Sequence, residues 1–263
     1  MGKITDALRK AAEDRLARIE KRPQHSYVVN VDPSITKNLN IDPHVVAFSD
    51  PMSPVSEQYK ILRTNLLSLA SPTRPVKAIG VTSAINSEGK TITALNLAIT
   101  LARDLNKKSI LLVDADMRRS RIQKILGIDT VDLGLSEYLQ DGLSPDNALI
   151  KTGIDNLTLL PAGKPPRNPA ELLSSHKMKE LIGILRNNFD YVIFDTPPVV
   201  PVTDPSVLGS QIDGMIMVIQ AGRTQRNIIT HAKHLLDQAR VKTLGYVMTG
   251  VEYHLPQYLY RYM

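Results

Sequence analysis

The chain has 263 residues, of which 43% are hydrophobic, and this fits one α/β domain with a short extension. It contains no cysteine, which excludes disulfide bonds and thiolate metal sites and favours a cytosolic setting. Its formal charge of +6 suits a phosphate, an anionic lipid or a nucleic acid as partner, although a solvated basic surface is the commoner cause of such a charge.

The first 54 residues predict two segments that precede the core. Residues 1–22 carry apolar side chains at helical spacing and Lys and Arg on the other face, which predicts an amphipathic helix. This helix could dock on a partner, lie on a membrane surface or pack on its own domain. Residues 23–54 contain five prolines and little periodicity, which predicts an extended linker.

Residues 55–263 predict an α/β domain, in which a first helix at 56–69 precedes alternating strands and helices. Continuous apolar strands separated by helices are typical of a mostly parallel sheet covered on both faces. The predicted strands are at 76–82, 109–113, 157–160, 191–194, 215–219 and 244–248. The predicted helices between them are at 91–105, 169–187 and 227–238.

Residues 84–91, Ala-Ile-Asn-Ser-Glu-Gly-Lys-Thr, have the pattern of a phosphate-binding loop, with Ala84 where Gly is usual. They follow an apolar strand and open a helix, which is the setting that this motif requires. Such a loop wraps a phosphate with backbone amides, while Lys90 bridges phosphates and the Thr91 hydroxyl binds Mg²⁺. We therefore predict the three-layer P-loop NTPase fold and ATP binding. The predicted nucleotide-binding residues are Asn86, Ser87, Glu88, Gly89, Lys90, Thr91 and Ile92.

Carboxylates follow two other apolar strands. Asp114 and Asp116 are two positions apart at the end of the strand 109–113, so both lie on one side of an extended segment. Asp195 ends the strand 191–194 in the manner of a Walker B strand. A single acid at a strand end is often a helix cap, but two such ends beside a phosphate loop favour a magnesium site.

The C-terminal segment 253–263 is rich in tyrosine. It holds four of the nine tyrosines of the chain, namely Tyr253, Tyr258, Tyr260 and Tyr262. The last three alternate as on one face of a strand, which is one interpretation. Chain ends fray unless they are tied down, and we favour a substrate tail that enters the active site of another molecule.

Together these residues resemble the bacterial tyrosine kinases, the P-loop autokinases of exopolysaccharide and capsule assembly. The resemblance runs from about Pro54 to the end of the chain. Its carriers are residues 56–65, 87–91, 113–119, 160–169, 195–199 and 202–204.

The resemblance implies an ATP- and Mg²⁺-dependent protein-tyrosine autokinase that phosphorylates its own C-terminal tyrosines and regulates polysaccharide synthesis and export. It implies that Lys90 grips ATP and that Thr91, Asp114 and Asp195 organise Mg²⁺. Asp116, or Asp114 itself, would assist the incoming tyrosine by accepting the phenol proton.

The family also forms ring-like oligomers through a Glu-x-x-Arg-x-x-Arg motif, which here consists of Glu57, Lys60 and Arg63. Thr249 directly follows the last predicted strand, at the place where the family usually has Asn near the adenine. Many relatives are fused to a membrane-spanning chain-length regulator or stimulated by a separate one. Because no apolar run approaches the roughly 20 residues that span a bilayer, this chain is similar to the separate type. We expect a cytoplasmic protein recruited peripherally to the inner face of the plasma membrane, with residues 1–22 docking on such a partner.

Two other functions fit the same fold. A partitioning or cell-division ATPase of the MinD and ParA type usually has a second lysine early in the loop, at the position of Ile85 here. The absence of that lysine and the tyrosine tail argue against this class and against a nucleic-acid partner. The second alternative is a nucleotide-binding scaffold without phosphotransfer.

Overall fold

The computed structural model describes residues 40–71, 75–129, 131–142 and 147–251. The predicted N-terminal helix, the first part of the predicted linker and the tyrosine tail lie outside these ranges. The domain boundaries set out above therefore stay predictions.

Seven strands form one sheet, and the predicted α/β architecture is confirmed. The strands are β1 Ala78–Ser83, β2 Ile110–Asp114, β3 Ile150–Lys151, β4 Leu157–Leu160, β5 Tyr191–Asp195, β6 Gly214–Gln220 and β7 Thr243–Thr249. Their order across the sheet is β3-β4-β2-β5-β1-β6-β7. Only the short edge strand β3 runs antiparallel to its neighbour, as far as the described part of the chain shows.

Helices cover both faces of this sheet. They are α1 Val46–Ser49, α2 Pro54–Ser68, α3 Lys90–Ala102, α4 Ile122–Leu126, α5 Leu135–Asp141, α6 Pro169–Ser174, α7 His176–Asn188, α8 Asp204–Gly209 and α9 Arg226–Gln238. On one face α3 is almost wholly buried between the sheet and the pair α1 and α2. On the other face the apolar sides of α7 and α9 pack against alternate residues of the same strands.

The single helix predicted at 169–187 is wrong, because the chain breaks it into α6 and α7 at Ser175. The backbone of Ser175 is extended, with φ −65° and ψ 158°. Its hydroxyl accepts a hydrogen bond from the Met178 amide at 3.3 Å. Ser175 is thus the N-cap of α7, a role that serine fills well.

The last part of the predicted linker, from residue 40 onward, contacts the domain. Val45 and Ala47 are buried. The Ala47 amide donates to the Asn96 side chain at 2.7 Å, and the Arg103 guanidinium donates to the Ala47 carbonyl at 2.6 Å. These bonds tie the segment before α2 to the buried helix α3.

The parallel strands bring the predicted site residues to one edge of the sheet. Asp114 at the end of β2 lies opposite Asp195 at the end of β5, and Val81 of β1 lies opposite Asp195 on its other side. The loop that follows β1 leads into α3. The carboxyl edge of the sheet is where such folds bind phosphates.

Candidate active site

The loop between β1 and α3 turns sharply before the helix begins. Ser87 and Gly89 both have positive φ, 64° and 91°. A Cβ on Gly89 would be strained by this backbone and would lie 3.3 Å from Thr249 Cγ2. Gly89 is the N-cap of α3 and supplies no side-chain cap, so the amides of the first turn are available to an anion such as a phosphate.

The Glu88 side chain holds this loop in place. It is buried, and its carboxylate accepts hydrogen bonds from the Ile85 amide at 2.7 Å, the Gln220 amide at 3.2 Å and the Thr224 hydroxyl. The Thr249 hydroxyl donates to the Glu88 carbonyl at 2.7 Å. Glu88 is one of the seven residues predicted to bind nucleotide, and its carboxylate is occupied by these hydrogen bonds within the protein.

Lys90 lies among the predicted acids. Its Nζ is 2.8 Å from Asp116 Oδ2, 3.5 Å from Asp195 Oδ1 and 3.3 Å from the Thr91 hydroxyl. Burial acts to lower the pKa of Lys90, but the charges of Asp195 and Asp116 outweigh it and raise that pKa. Lys90 is therefore a firmly protonated cation at the mouth of the loop.

Asp195 combines a satisfied and an unsatisfied oxygen. Its Oδ2 accepts a hydrogen bond from the Thr91 hydroxyl at 2.7 Å. Its Oδ1 is buried and has Lys90 Nζ at 3.5 Å, but it accepts no hydrogen bond within the described part of the chain. Burial raises the pKa of Asp195, and the Lys90 ammonium only partly offsets it. A hard cation beside Oδ1 and the Thr91 oxygen would relieve both conditions.

Asp114 lies behind this group and is fully buried. It accepts hydrogen bonds from the Ser120 hydroxyl at 2.7 Å and the Asp116 amide at 3.2 Å. Burial, followed by the charge of Asp195, raises the pKa of Asp114 to about 7. Asp114, Asp116 and Asp195 thus place three carboxylates around the single ammonium group of Lys90.

This imbalance of charge suits a divalent cation. No group of three or more His, Cys, Asp or Glu side chains is arranged to hold a metal among the residues that the structure describes. Magnesium does not need one, because it is commonly held by one or two carboxylates, a hydroxyl and the phosphates of its nucleotide. The predicted donors Thr91, Asp114 and Asp195 fit such a site.

A cavity of about 250 Å³ opens in front of Lys90 and Thr91. Asp116 lines it, whereas Asp114 does not. Three further lining residues were not predicted from the sequence, namely Arg119, Arg121 and Ile125. The available signal was the density of arginine directly after the acidic strand end, in Arg118, Arg119 and Arg121. The full lining is Asn86, Ser87, Gly89, Lys90, Thr91, Ile92, Asp116, Arg119, Arg121 and Ile125.

Arg118 has a different task. Its guanidinium makes two hydrogen bonds to the fully buried carboxylate of Asp204, at 2.7 and 3.0 Å. This fork pairs the segment after β2 with the first turn of α8. The carboxylate of Asp204 is therefore buried together with a charged partner, as a buried carboxylate requires.

The other predicted site residues lie away from the cavity or outside the residues that the structure describes. Glu57 and Lys60 form an exposed ion pair of 2.9 Å on α2. Arg63 Nη1 donates to the Thr100 carbonyl of α3 at 3.1 Å. The tail tyrosines lie outside the described residues.

Comparisons with known proteins place the chain in a family. Residues 76–237 match a family model described as an AAA domain. The tyrosine-protein kinase YwqD of Bacillus subtilis is 39% identical over 207 residues, which cover 79% of this chain and 86% of that protein. The tyrosine-protein kinase CpsD of Streptococcus agalactiae is 33% identical and covers 77% of this chain and 86% of its own length.

Solved structures agree with these relatives. The kinase domain of the Escherichia coli tyrosine kinase ETK superposes with a TM-score of 0.77, at 26% identity over 87% of each chain. The Pyrococcus furiosus cell division ATPase MinD has a TM-score of 0.56 at 23% identity, over 65% of this chain and 71% of that one, and so shares the fold alone. The partitioning-ATPase alternative is accordingly not favoured.

No helix in the described ranges is both long and apolar enough to span a bilayer. The phosphate loop, the acidic strand ends and the likeness to relatives of at least 33% identity over most of both chains agree with one another. This chain belongs to the bacterial tyrosine-protein kinases, and it is a protein-tyrosine kinase built on a nucleotide-binding P-loop domain.

Proposed function

We propose that this kinase is an Mg²⁺-dependent autokinase that transfers the γ-phosphoryl group of ATP to its own tail tyrosines. The observation that carries the proposal is the position of Lys90, which bridges Asp116 and Asp195 at the mouth of the phosphate loop. The acceptors would be Tyr253, Tyr258, Tyr260 and Tyr262. Each is a phenol on a segment that follows β7, whose end contacts the same loop through Thr249.

The ion pair of Lys90 and Asp116 gives the site its chemistry. The phosphates of ATP compete with Asp116 for the Lys90 ammonium, so nucleotide binding frees a carboxylate that lines the cavity. Asp116 then accepts the proton of a phenol placed in line with the γ-phosphorus. The bond from that phosphorus to the bridging oxygen breaks, the bond to the phenol oxygen forms, and ADP leaves.

Thr91, Asp114 and Asp195 would hold the magnesium ion. When bound, Mg²⁺ neutralises charge on the phosphates, which supports a loose transition state. The Thr91 hydroxyl and Asp195 Oδ1 offer the direct ligands, and Asp114 adds negative charge from behind. Main-chain amides of residues 86–92 would cradle the phosphates.

The cellular role proposed is control of exopolysaccharide or capsule synthesis and export. It is supported by the resemblance of this chain to the bacterial tyrosine kinases, which implies a role in polysaccharide assembly. We propose that a separate membrane-spanning chain-length regulator recruits residues 1–22 to the inner face of the plasma membrane. Loss of residues 1–22 should then abolish recruitment to vesicles that carry this regulator, and unchanged recruitment would refute the docking role.

Phosphosite mapping tests the central proposal. The full chain is incubated with Mg·ATP, and phosphotyrosine is located by mass spectrometry. We expect label on the four tail tyrosines, loss of label in Lys90→Met and in Thr91→Val, and full label in Lys179→Met, an exposed lysine on α7. Absence of label in the wild-type chain, with the regulator's cytoplasmic segment present, would instead favour the nucleotide-binding scaffold.

A further inference from the structure

A second and larger cavity adjoins the one in front of the phosphate loop. Its volume is about 630 Å³. The two cavities share the side chains of Ile92, Arg121 and Ile125, so they lie side by side. The outer part is lined in addition by Asp42, His44 and Lys124. None of these three residues contacts the Lys90 and Asp195 group.

The outer cavity has an excess of unpaired positive charge. His44 Nδ1 lies 2.7 Å from Asp42 Oδ1, and the His44 amide donates to the same oxygen at 2.9 Å. These two bonds, the backbone one first, hold the pKa of Asp42 below its ordinary value. Arg121 and Lys124, one helical turn apart, have no carboxylate partner anywhere in the described ranges.

The walls of the cavity add apolar surface to this charge. Ile92 and Ile125 are partly buried members of the core that present their remaining surface to both cavities. A ligand that carries a flat apolar group and a dianion would therefore meet matching surfaces. Phosphotyrosine has both parts, since its phosphate carries roughly −1.5 to −2 charges at neutral pH.

We propose that the outer cavity binds a phosphotyrosine of the segment 253–263 of this chain while a neighbouring tyrosine of the same segment occupies the Asp116 side. The phenyl ring would pack on Ile92 and Ile125, and the phosphate would accept charge-assisted hydrogen bonds from Arg121 and Lys124. This inference rests on the proposed autokinase function.

The spacing of the tail tyrosines supports this arrangement. Tyr258, Tyr260 and Tyr262 alternate, and alternate residues of an extended peptide are roughly 7 Å apart on one face. One phenol can therefore stay in the outer cavity when the next reaches the inner one. The product of one transfer would thus anchor the segment for the next, and the cluster would be phosphorylated without release between steps.

Peptide binding tests the site without any need for activity. The receptor is the full chain with its four tail tyrosines changed to Phe, and the probes are fluorescent peptides of residues 252–263 with or without phosphate on Tyr260. We expect the phosphopeptide to bind roughly three- to tenfold more tightly at low salt, with the preference shrinking as salt is added. Lys124→Gln should remove most of that preference, and Lys179→Gln, which loses the same charge on α7, should retain it.

A time course of intact masses tests the consequence. We expect the wild-type chain to proceed to multiply phosphorylated forms, whereas Lys124→Gln gains its first phosphate at the wild-type rate and then accumulates singly phosphorylated chain. Equal binding of both peptides, or displacement of the phosphopeptide by inorganic phosphate at the same concentration, would overturn the proposal. If the wild-type chain transfers no phosphate but the receptor still prefers the phosphopeptide, the binding site is supported and the autokinase function is contradicted.

Discussion

The residue that best shows the electrostatic design of the site is Asp114. It is fully buried beside Asp195, and the nearest ammonium, that of Lys90, is paired with Asp116 and Asp195. Burying a carboxylate without its own counter-ion costs free energy, which appears here as a raised pKa. The folded chain therefore stores a cost at this position that a bound cation would reduce.

This cost predicts a pH dependence of stability in the absence of metal and nucleotide. The pKa of Asp114 rises from 3.8 to about 7 on folding. Between these values the folded chain keeps a proton that the unfolded chain releases, so the free energy of unfolding falls as pH rises from about 4 to about 7. At pH 8, Asp114→Asn should unfold at a higher urea concentration than wild type, and its free energy of unfolding should be larger by up to a few kcal/mol. At pH 4.5 this gain in the free energy of unfolding should be much smaller.

The matched control for this measurement is Asp155→Asn, which removes the same charge from an exposed loop. It should leave the difference between pH 4.5 and pH 8 unchanged. If Asp114→Asn follows wild type at both pH values in the presence of EDTA, the buried carboxylate is not the source of the dependence. Phosphotransfer should be lost in Asp114→Asn at either pH.

Among the elements, the phosphate loop depends on a clamp between β1 and β6. The Glu88 carboxylate joins the Ile85 amide to the Gln220 amide and the Thr224 hydroxyl. Glu88→Ala leaves these partly buried donors without an acceptor, which costs on the order of 1–3 kcal/mol for each donor that water does not reach. We expect lower stability in urea and weaker ATP binding by calorimetry.

Glu88→Gln distinguishes the hydrogen bonds of the Glu88 carboxylate from the space that its side chain fills. Its amide keeps one acceptor oxygen and the shape of the side chain, so its loss of stability should be smaller than that of Glu88→Ala. Glu180→Ala, on the exposed side of α7, serves as the control and should bind ATP as wild type does. Unchanged ATP affinity in Glu88→Ala would mean that the loop keeps its shape without the clamp.

The sequence predicted the elements whose signal is local. Strands such as β2 and β5 are continuous apolar runs, and the acids that end them follow from the same pattern. The break at Ser175 was missed because both halves have helical periodicity and only the cap geometry divides them. Glu88 and Arg121 depend on residues far along the chain or on a fold-dependent cavity, so no local pattern indicates what they contact.

At the scale of the whole molecule, the predicted oligomer interface lies on α2, on the face of the domain that covers α3. Arg63 is bound to the Thr100 carbonyl, so its removal would disturb the packing of α2 as well as any interface. Glu57 has 59% of its side chain exposed, and its carboxylate forms an ion pair with Lys60. An exposed pair of this kind contributes about 1 kcal/mol or less to stability, so Glu57 is the position at which assembly can be tested without unfolding the domain.

Transfer between molecules follows if the tail of one chain enters the site of its neighbour. An active chain whose four tail tyrosines are Phe is mixed with isotope-labelled Lys90→Met chain, which has an intact tail but no catalytic lysine. We expect phosphate on the labelled Lys90→Met tail, and we expect Glu57→Arg in both chains to reduce the oligomer mass by light scattering and the transfer several-fold together. Asp155→Arg, an equal reversal of charge on an exposed loop, should change neither. The tail of the Lys90→Met chain is the only source of tail tyrosines for the active chain in this mixture. If that tail stays unphosphorylated, each molecule phosphorylates only its own tail.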